Sequence, residues 1–150
     1  MPKDRNIVFK GETVLAFDFG LRKIGVAVGN TLTKTTMPLD IIYTKNGKTP
    51  WSDIENLLED WKPLSVIVGD PINMDDTESK MSKEVRSFQK KIEKSLKIEC
   101  KLHDERLSSF AAKQQMEIIK KYKKQPNPGI DALAAQVILE SWLRGKSKNV

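Results

Sequence analysis

Two apolar runs separated by three residues dominate this sequence. Thr13 to Phe19 reads TVLAFDF and Lys23 to Gly29 reads KIGVAVG, with Gly20, Leu21 and Arg22 between them. Runs of this composition read as strands, and a link this short reads as a hairpin. The first run carries an acid, Asp18. An ionised carboxylate inside such a strand must be paired, hydrogen-bonded or bound to a metal, because burying it bare is costly. If Leu21 and Arg22 form a two-residue turn, Gly20 pairs with Lys23 and Asp18 lies opposite Gly25. Gly25 has no side chain, which leaves open space above the carboxylate for a cation and a phosphate. The same spacing also suits a Gly25 that only relieves crowding and an Asp18 that caps a turn.

Downstream, Pro38 to Tyr43 (PLDIIY) is a weaker third strand, and Pro38 puts its start at an edge or entry. Thr49 and Pro50 read as N-cap and first position of a helix, with Trp51, Ile54, Leu57, Leu58 and Trp61 at helical spacing and Pro63 closing it. Ser65 to Gly69 is a short buried-type strand, followed by a turn-rich loop from Asp70 to Thr77. Met81, Val85, Phe88, Ile92 and Leu96 form one face of a long amphipathic helix. Ile98, Cys100 and Leu102 alternate with Glu99, Lys101 and His103, a strand exposed on one side. Ser108 or Ser109 can cap a helix carrying Phe110, Ala111, Ile118 and Ile119. Residues 120–129 form a basic connector broken by prolines, and Ile130 to Leu143 is the last helix. A three-strand antiparallel meander plus two parallel strands, with helices between, predicts an α/β mixed five-stranded sheet flanked by helices. One domain over 1–150 is expected, with an N-terminal arm at 1–12 and a frayed tail at 145–150.

Apolar residues make up 39% and charged residues 31% of the 150, which is ordinary for a globular protein. One cysteine excludes a disulfide framework or a multi-cysteine zinc site. No apolar core follows Met1-Pro2-Lys3-Asp4-Arg5 and no run nears the ~18 apolar residues of a membrane span, so no signal peptide, a reducing cytoplasm and no membrane are expected. The net charge of +6 is uneven: residues 80–125 hold 14 basic and 6 acidic side chains. Such a stripe suits a polyanion, although a solvated lysine face looks the same in sequence.

Further acids stand at element ends. Asp104 and Glu105 close a strand, and by alternation they fall on opposite faces, Asp104 with Cys100 and Leu102. Asp131 opens the last helix, where the dipole alone would favour it, and Ala132, Ala134 and Ala135 permit close packing on a sheet. Asp70 ends its strand before Pro71, as a fourth acid or as a turn starter. Carboxylates converging from separate elements bind a hard cation, Mg²⁺ or Mn²⁺, which suits phosphodiester hydrolysis. His103, the only histidine, reads as an exposed strand residue rather than a proton shuttle. Cys100 reads as a buried thiol, and Trp51, Trp61 and Trp142 as core.

With these residues in view, the chain resembles the YqgF/RuvX family, the Holliday-junction-resolvase-like family also described as pre-16S ribosomal RNA nucleases. The matching pieces are Ala16-Phe17-Asp18-Phe19-Gly20 with Lys23-Ile24-Gly25, Val68-Gly69-Asp70-Pro71-Ile72-Asn73, His103-Asp104-Glu105-Arg106-Leu107-Ser108 and Asp131-Ala132-Leu133-Ala134-Ala135, in the family's order. The resemblance implies an RNase H-like domain and a Mg²⁺- or Mn²⁺-dependent endonuclease. Its substrate would be structured RNA, most naturally the 5′ end of pre-16S ribosomal RNA, or else branched DNA. Asp18, Glu105 and Asp131 would be the catalytic, metal-binding acids, with Asp104 and then Asp70 as further ligands. The family usually has a small or apolar residue where Asp70 stands. Arg106 would be a phosphate contact or a helix-entry brace. Together with Arg22, Lys23, Lys120, Lys121, Lys123 and Lys124 it would form the nucleic-acid-binding set. Ribosomal precursor particles are the implied partners, with the chain acting as a monomer or homodimer.

Two rivals remain in sequence terms. A phosphotransferase of the actin and sugar-kinase type would need a hydroxyl in the first hairpin, where Leu21, Arg22 and Lys23 stand, and a second such domain. A non-catalytic nucleic-acid-binding or ribosome-associated module would keep the fold and use the acids structurally.

Overall fold

A computed structural model describes residues 12–71, 80–104, 114–115, 117–118, 121 and 128–148, the backbone alone at 80, 128–131 and 146–148. Five strands form one sheet: β1 (Thr13–Asp18), β2 (Lys23–Asn30), β3 (Thr36–Tyr43), β4 (Ser65–Asp70) and β5 (Glu99–Asp104). Their order is β3-β2-β1-β4-β5. The meander β1-β2-β3 is antiparallel, while β4 runs parallel to β1 and β5 parallel to β4. The expected mixed sheet is therefore present, and Pro38 lies on the edge strand, where a missing backbone donor costs least.

The helices are α1 (Trp51–Trp61), α2 (Lys80–Lys91) and α3 (Pro128–Lys148). The strand pleat sorts side chains between two layers. On one face Leu15, Phe17, Val66, Val68 and Cys100 pack with Ile54 and Leu58 of α1 and Val85, Phe88 and Ile92 of α2. On the other, Val14, Ala16, Ala27 and Ile67 pack with Ala135, Ile138, Leu139 and Leu143 of α3. A Cβ on Gly29 would sit 2.8 Å from Leu139 Cδ2 and 3.1 Å from the Thr35 carbonyl, so any larger residue there would press on the α3 side chain packed against β2.

Several boundaries differ from the sequence reading. Pro50 rather than Thr49 is the N-cap of α1, and its carbonyl accepts the amides of Asp53 and Ile54. The face Val85–Phe88–Ile92 is buried as expected, but the chain widens into π-type turns over Ile92–Leu96 and leaves through Lys97, a left-handed residue at φ 57°. Pro128 opens α3 two residues before Ile130, since proline is pre-organised for a first helical position. At the other end α3 continues past Gly145 to Lys148, so the expected frayed tail is helical over 145–148. The N-terminal arm lies outside the described residues up to 11, and so does most of the helix expected after Ser108. Its described helical residues at 114, 115, 117, 118 and 121 are exposed, Ile118 among them.

Cys100 is buried, as expected. Burial, with the Glu93 carboxylate adding to it, pushes its thiol up to about 12. Because the thiolate is the reactive form, iodoacetamide should leave Cys100 unmodified at pH 8 in the native protein and alkylate it in urea. Rapid native alkylation, read by mass spectrometry, would contradict this packing.

Candidate functional site

Asp18 is the last residue of the central strand β1 and lies opposite Gly25 in register, as the hairpin spacing predicted. Val14 and Ala16 point to the α3 layer, so the pleat sends Asp18 to the same side. Its neighbours Phe17 and Phe19 point the other way. Phe17 and Phe19 meet Phe88 at 5.4 and 5.1 Å between ring centroids, and Trp51 stacks on Phe88 at 5.2 Å. Aromatic packing on one side thus anchors the backbone on either side of a half-buried carboxylate that faces the other.

The hairpin after Asp18 is held by close backbone contacts. A Cβ on Gly20 would lie 2.6 Å from the Lys23 carbonyl oxygen, so this turn demands glycine. The Thr44 amide donates to the Arg22 carbonyl at 2.9 Å, and its hydroxyl donates to the carbonyls of Leu21 and Arg22. These bonds pin the tip to the end of β3, with the Arg22 side chain exposed.

The other strand-end acids divide by face. Asp70 and Asp104 are register partners at the ends of β4 and β5, both on the α2 side of the pleat. Asp70 is buried and accepts a hydrogen bond from Ser82 Oγ of α2 at 2.9 Å. The register therefore does not gather Asp70 and Asp104 with Asp18. Asp70 has the structural partner that its turn-starter reading lacked. Among the described residues no three His, Cys, Asp or Glu side chains form a metal-binding group. Glu105 and Arg106 lie outside the described residues, directly after the end of β5. Asp131 stands in the first turn of α3, on the backbone only.

The predicted nucleic-acid contacts divide similarly. Lys83, Lys90, Lys91, Lys94 and Lys97 are exposed on or just after α2, the layer opposite Asp18. Lys91 lies over the Trp51 ring at 4.9 Å. Lys121 is exposed, while Lys120, Lys123 and Lys124 lie outside the described residues. On Asp18's own side are Lys23 and Lys101, whose ammonium lies 5.6 Å from the Trp142 ring, and Arg22 is exposed at the hairpin tip.

His103 corrects the sequence reading. It is buried, not exposed, because α3 covers this end of β5 and Ser141 comes within 2.8 Å of its Nε2. Nothing in the local sequence signals this contact, since the partners stand 38 residues apart. Burial pulls the imidazole below its usual value near 6.5, with Asp104 pulling it partly back. The unfolded chain then binds a proton that the folded chain resists, so stability falls as pH drops below about 6.5, by at most about 1.4 kcal/mol per pH unit. Urea titrations from pH 7.5 to 5 should show a smaller loss for His103→Gln than for wild type; parallel curves would contradict it.

The family model for RuvX, described as Holliday junction resolvase, matches residues 12–145. The chain belongs to the RuvX family. Two Escherichia coli relatives, from strain K12 / DH10B and from O157:H7 strain EC4115, are 42% and 43% identical over 130 residues. Each alignment spans 87% of this RuvX chain and 94% of the relative, and both proteins carry the name "Putative pre-16S rRNA nuclease". The fold is similar to that of Thermus thermophilus RuvC, solved alone and with a Holliday junction substrate. The TM-scores are 0.54 and 0.56 at 11% and 12% identity, over 91% of this chain and 96% of the other. The RNase H-like architecture expected from the resemblance is thus present. Among the described residues no helix is long and apolar enough to cross a membrane.

Proposed function

We propose that this RuvX protein is a divalent-cation-dependent endonuclease of structured RNA, acting at the 5′ end of pre-16S ribosomal RNA in the cytoplasm. The observation that carries the reading is Asp18, held at the end of the central strand opposite a side-chain-free Gly25 on the face covered by α3. Leu139 packs at Gly29, Ala135 one turn earlier shares a cluster with Ala16 and Ala27, and one further turn back along the helix is Asp131. Glu105 directly follows the end of β5. The names of the Escherichia coli relatives support RNA as the substrate, and the family's description supports branched DNA as the second reading.

The donor set is carboxylate oxygen alone, which fits Mg²⁺ or Mn²⁺ and not a soft metal. Asp18, Glu105 and Asp131 would hold the ion. When bound, it would supply charge neutralisation at the scissile phosphate and a more acidic water. Asp18 brings a carboxylate on a strand end whose flanking residues Phe17 and Phe19 are anchored on Phe88. Gly25, itself buried, sets no side chain opposite Asp18. Arg22 and Lys23 contact backbone phosphates at the hairpin, and Arg106, Lys120, Lys121, Lys123 and Lys124 extend that grip without reading sequence. The products carry 5′-phosphate and 3′-hydroxyl ends.

The test presents the purified protein with a pre-16S RNA fragment and a four-way DNA junction, in Mg²⁺ and in EDTA. Mg²⁺-dependent cutting of the RNA supports the proposal. Cutting of the junction alone favours the second reading. Binding without cutting of either substrate makes the chain a non-catalytic module.

A further inference from the structure

A cleft of about 600 Å³ opens between the β2–β3 turn and α3, away from the strand-end acids. Its rim carries Lys34 and Arg144, both exposed, with no ion pair to either cation among the described residues. Leu143, almost wholly buried, lies beneath it. Gln136 and Glu140, one turn apart on α3, supply the polar atoms. Each is held by Thr36: Gln136 Nε2 donates to the Thr36 carbonyl and hydroxyl at 3.2 and 3.1 Å, and the Thr36 hydroxyl donates to Glu140 Oε1 at 3.2 Å. Gln136 thus spends its donors on Thr36, leaving Oε1 as an acceptor, and Glu140 Oε2 is likewise unspent.

Cations at the rim and fixed acceptors within are what a nucleotide requires: charge for the phosphate and partners for the base edge. The acceptors select among bases. Only guanine presents two adjacent donors, N1–H and the N2 amine, on its Watson–Crick edge, which a carboxylate can accept together. Paired bases hide that edge, so the occupant is unpaired.

We infer that this cleft is a subsite for an unpaired guanine nucleotide of the substrate. The inference rests on the nuclease reading, because the cleft opens on Asp18's side of the sheet. Thr36 pairs with Gly29, and Gly29 with Val14, four residues along β1 from Asp18. At ~3.4 Å per residue and ~4.8 Å per strand, the cleft lies roughly 17 Å from Asp18, a few nucleotides along an extended strand. It would recognise the strand beside the cut and select an unpaired guanine there.

The test titrates the full-length protein with guanosine 5′-monophosphate, without metal, and follows the Gln136 side-chain amide and the Thr35 and Thr36 backbone amides by ¹⁵N NMR. Shifts at these groups are expected, with adenosine and cytidine monophosphates binding at least about fivefold more weakly. Glu140→Gln should abolish that preference, and Lys34→Ala with Arg144→Ala should weaken all three nucleotides. No shift at millimolar guanosine monophosphate, or shifts centred elsewhere, would overturn the subsite. Equal shifts with all three nucleotides would overturn the base selection. Since no cutting is measured, a failed nuclease proposal would leave this result intact, and a failed subsite would leave cleavage intact.

Discussion

Asp18→Asn should lower Mg²⁺-dependent cleavage by more than about a hundredfold while changing RNA affinity in EDTA less than about threefold. Losing a group that merely orients a metal ligand already costs 10–100-fold, so losing a ligand should cost more. Asparagine keeps the shape and one oxygen but removes the charge that would hold a hard cation. The change lies at a strand end opposite Gly25, so the fold should persist, and thermal melting should coincide with wild type within a few degrees. Single-turnover cleavage, filter binding and the melt together separate the outcomes. An active Asp18→Asn protein would remove Asp18 from the chemistry. A protein that melts early would instead give the carboxylate the turn-capping role that the sequence also allowed.

Phe88→Ala should be the most damaging single truncation in the α1–α2 layer, at about 3–5 kcal/mol. Phe88 is 2% exposed and meets three aromatic rings, Phe17, Phe19 and Trp51. Truncation leaves a cavity and breaks ring contacts that contribute roughly 0.5–1.5 kcal/mol each beyond area alone. The urea midpoint should fall accordingly. Phe88→Leu, which refills most of the volume, should lose less than half as much. Because Phe17 and Phe19 flank Asp18 in sequence, the alanine variant should also lose cleavage activity at temperatures where it is still folded. A variant that is destabilised yet fully active would show that Asp18's orientation does not depend on this packing.

The layer assignment explains why one acidic strand end differs from the next. Asp18, Asp70 and Asp104 look alike in sequence, each closing a short apolar or alternating run. Pleat parity separates them. Asp18 follows Val14 and Ala16 into the α3 layer, whereas Asp70 follows Val66 and Val68 into the α2 layer and meets Ser82. The parity of each strand can be read from its apolar residues, so Asp104's side was predicted correctly. Which helix covers which side cannot be read locally, because strand periodicity is silent about the partner layer.

What the sequence determined by itself is what rests on local periodicity and turn chemistry: five strands, the hairpin that sets Asp18 against Gly25, the edge position of Pro38, and the buried faces of α1 and α2. Short-range spacing decides these, because neighbours along the chain are neighbours in space. The tertiary structure alone decided the partners from afar. Ser141 buries His103, Ser82 takes Asp70 from the α2 side, Leu139 presses on Gly29, and Thr36 joins Gln136 and Glu140 in a cleft. Three of those contacts exist because α3 is laid across one face of the sheet, and the Asp70–Ser82 contact because α2 covers the other.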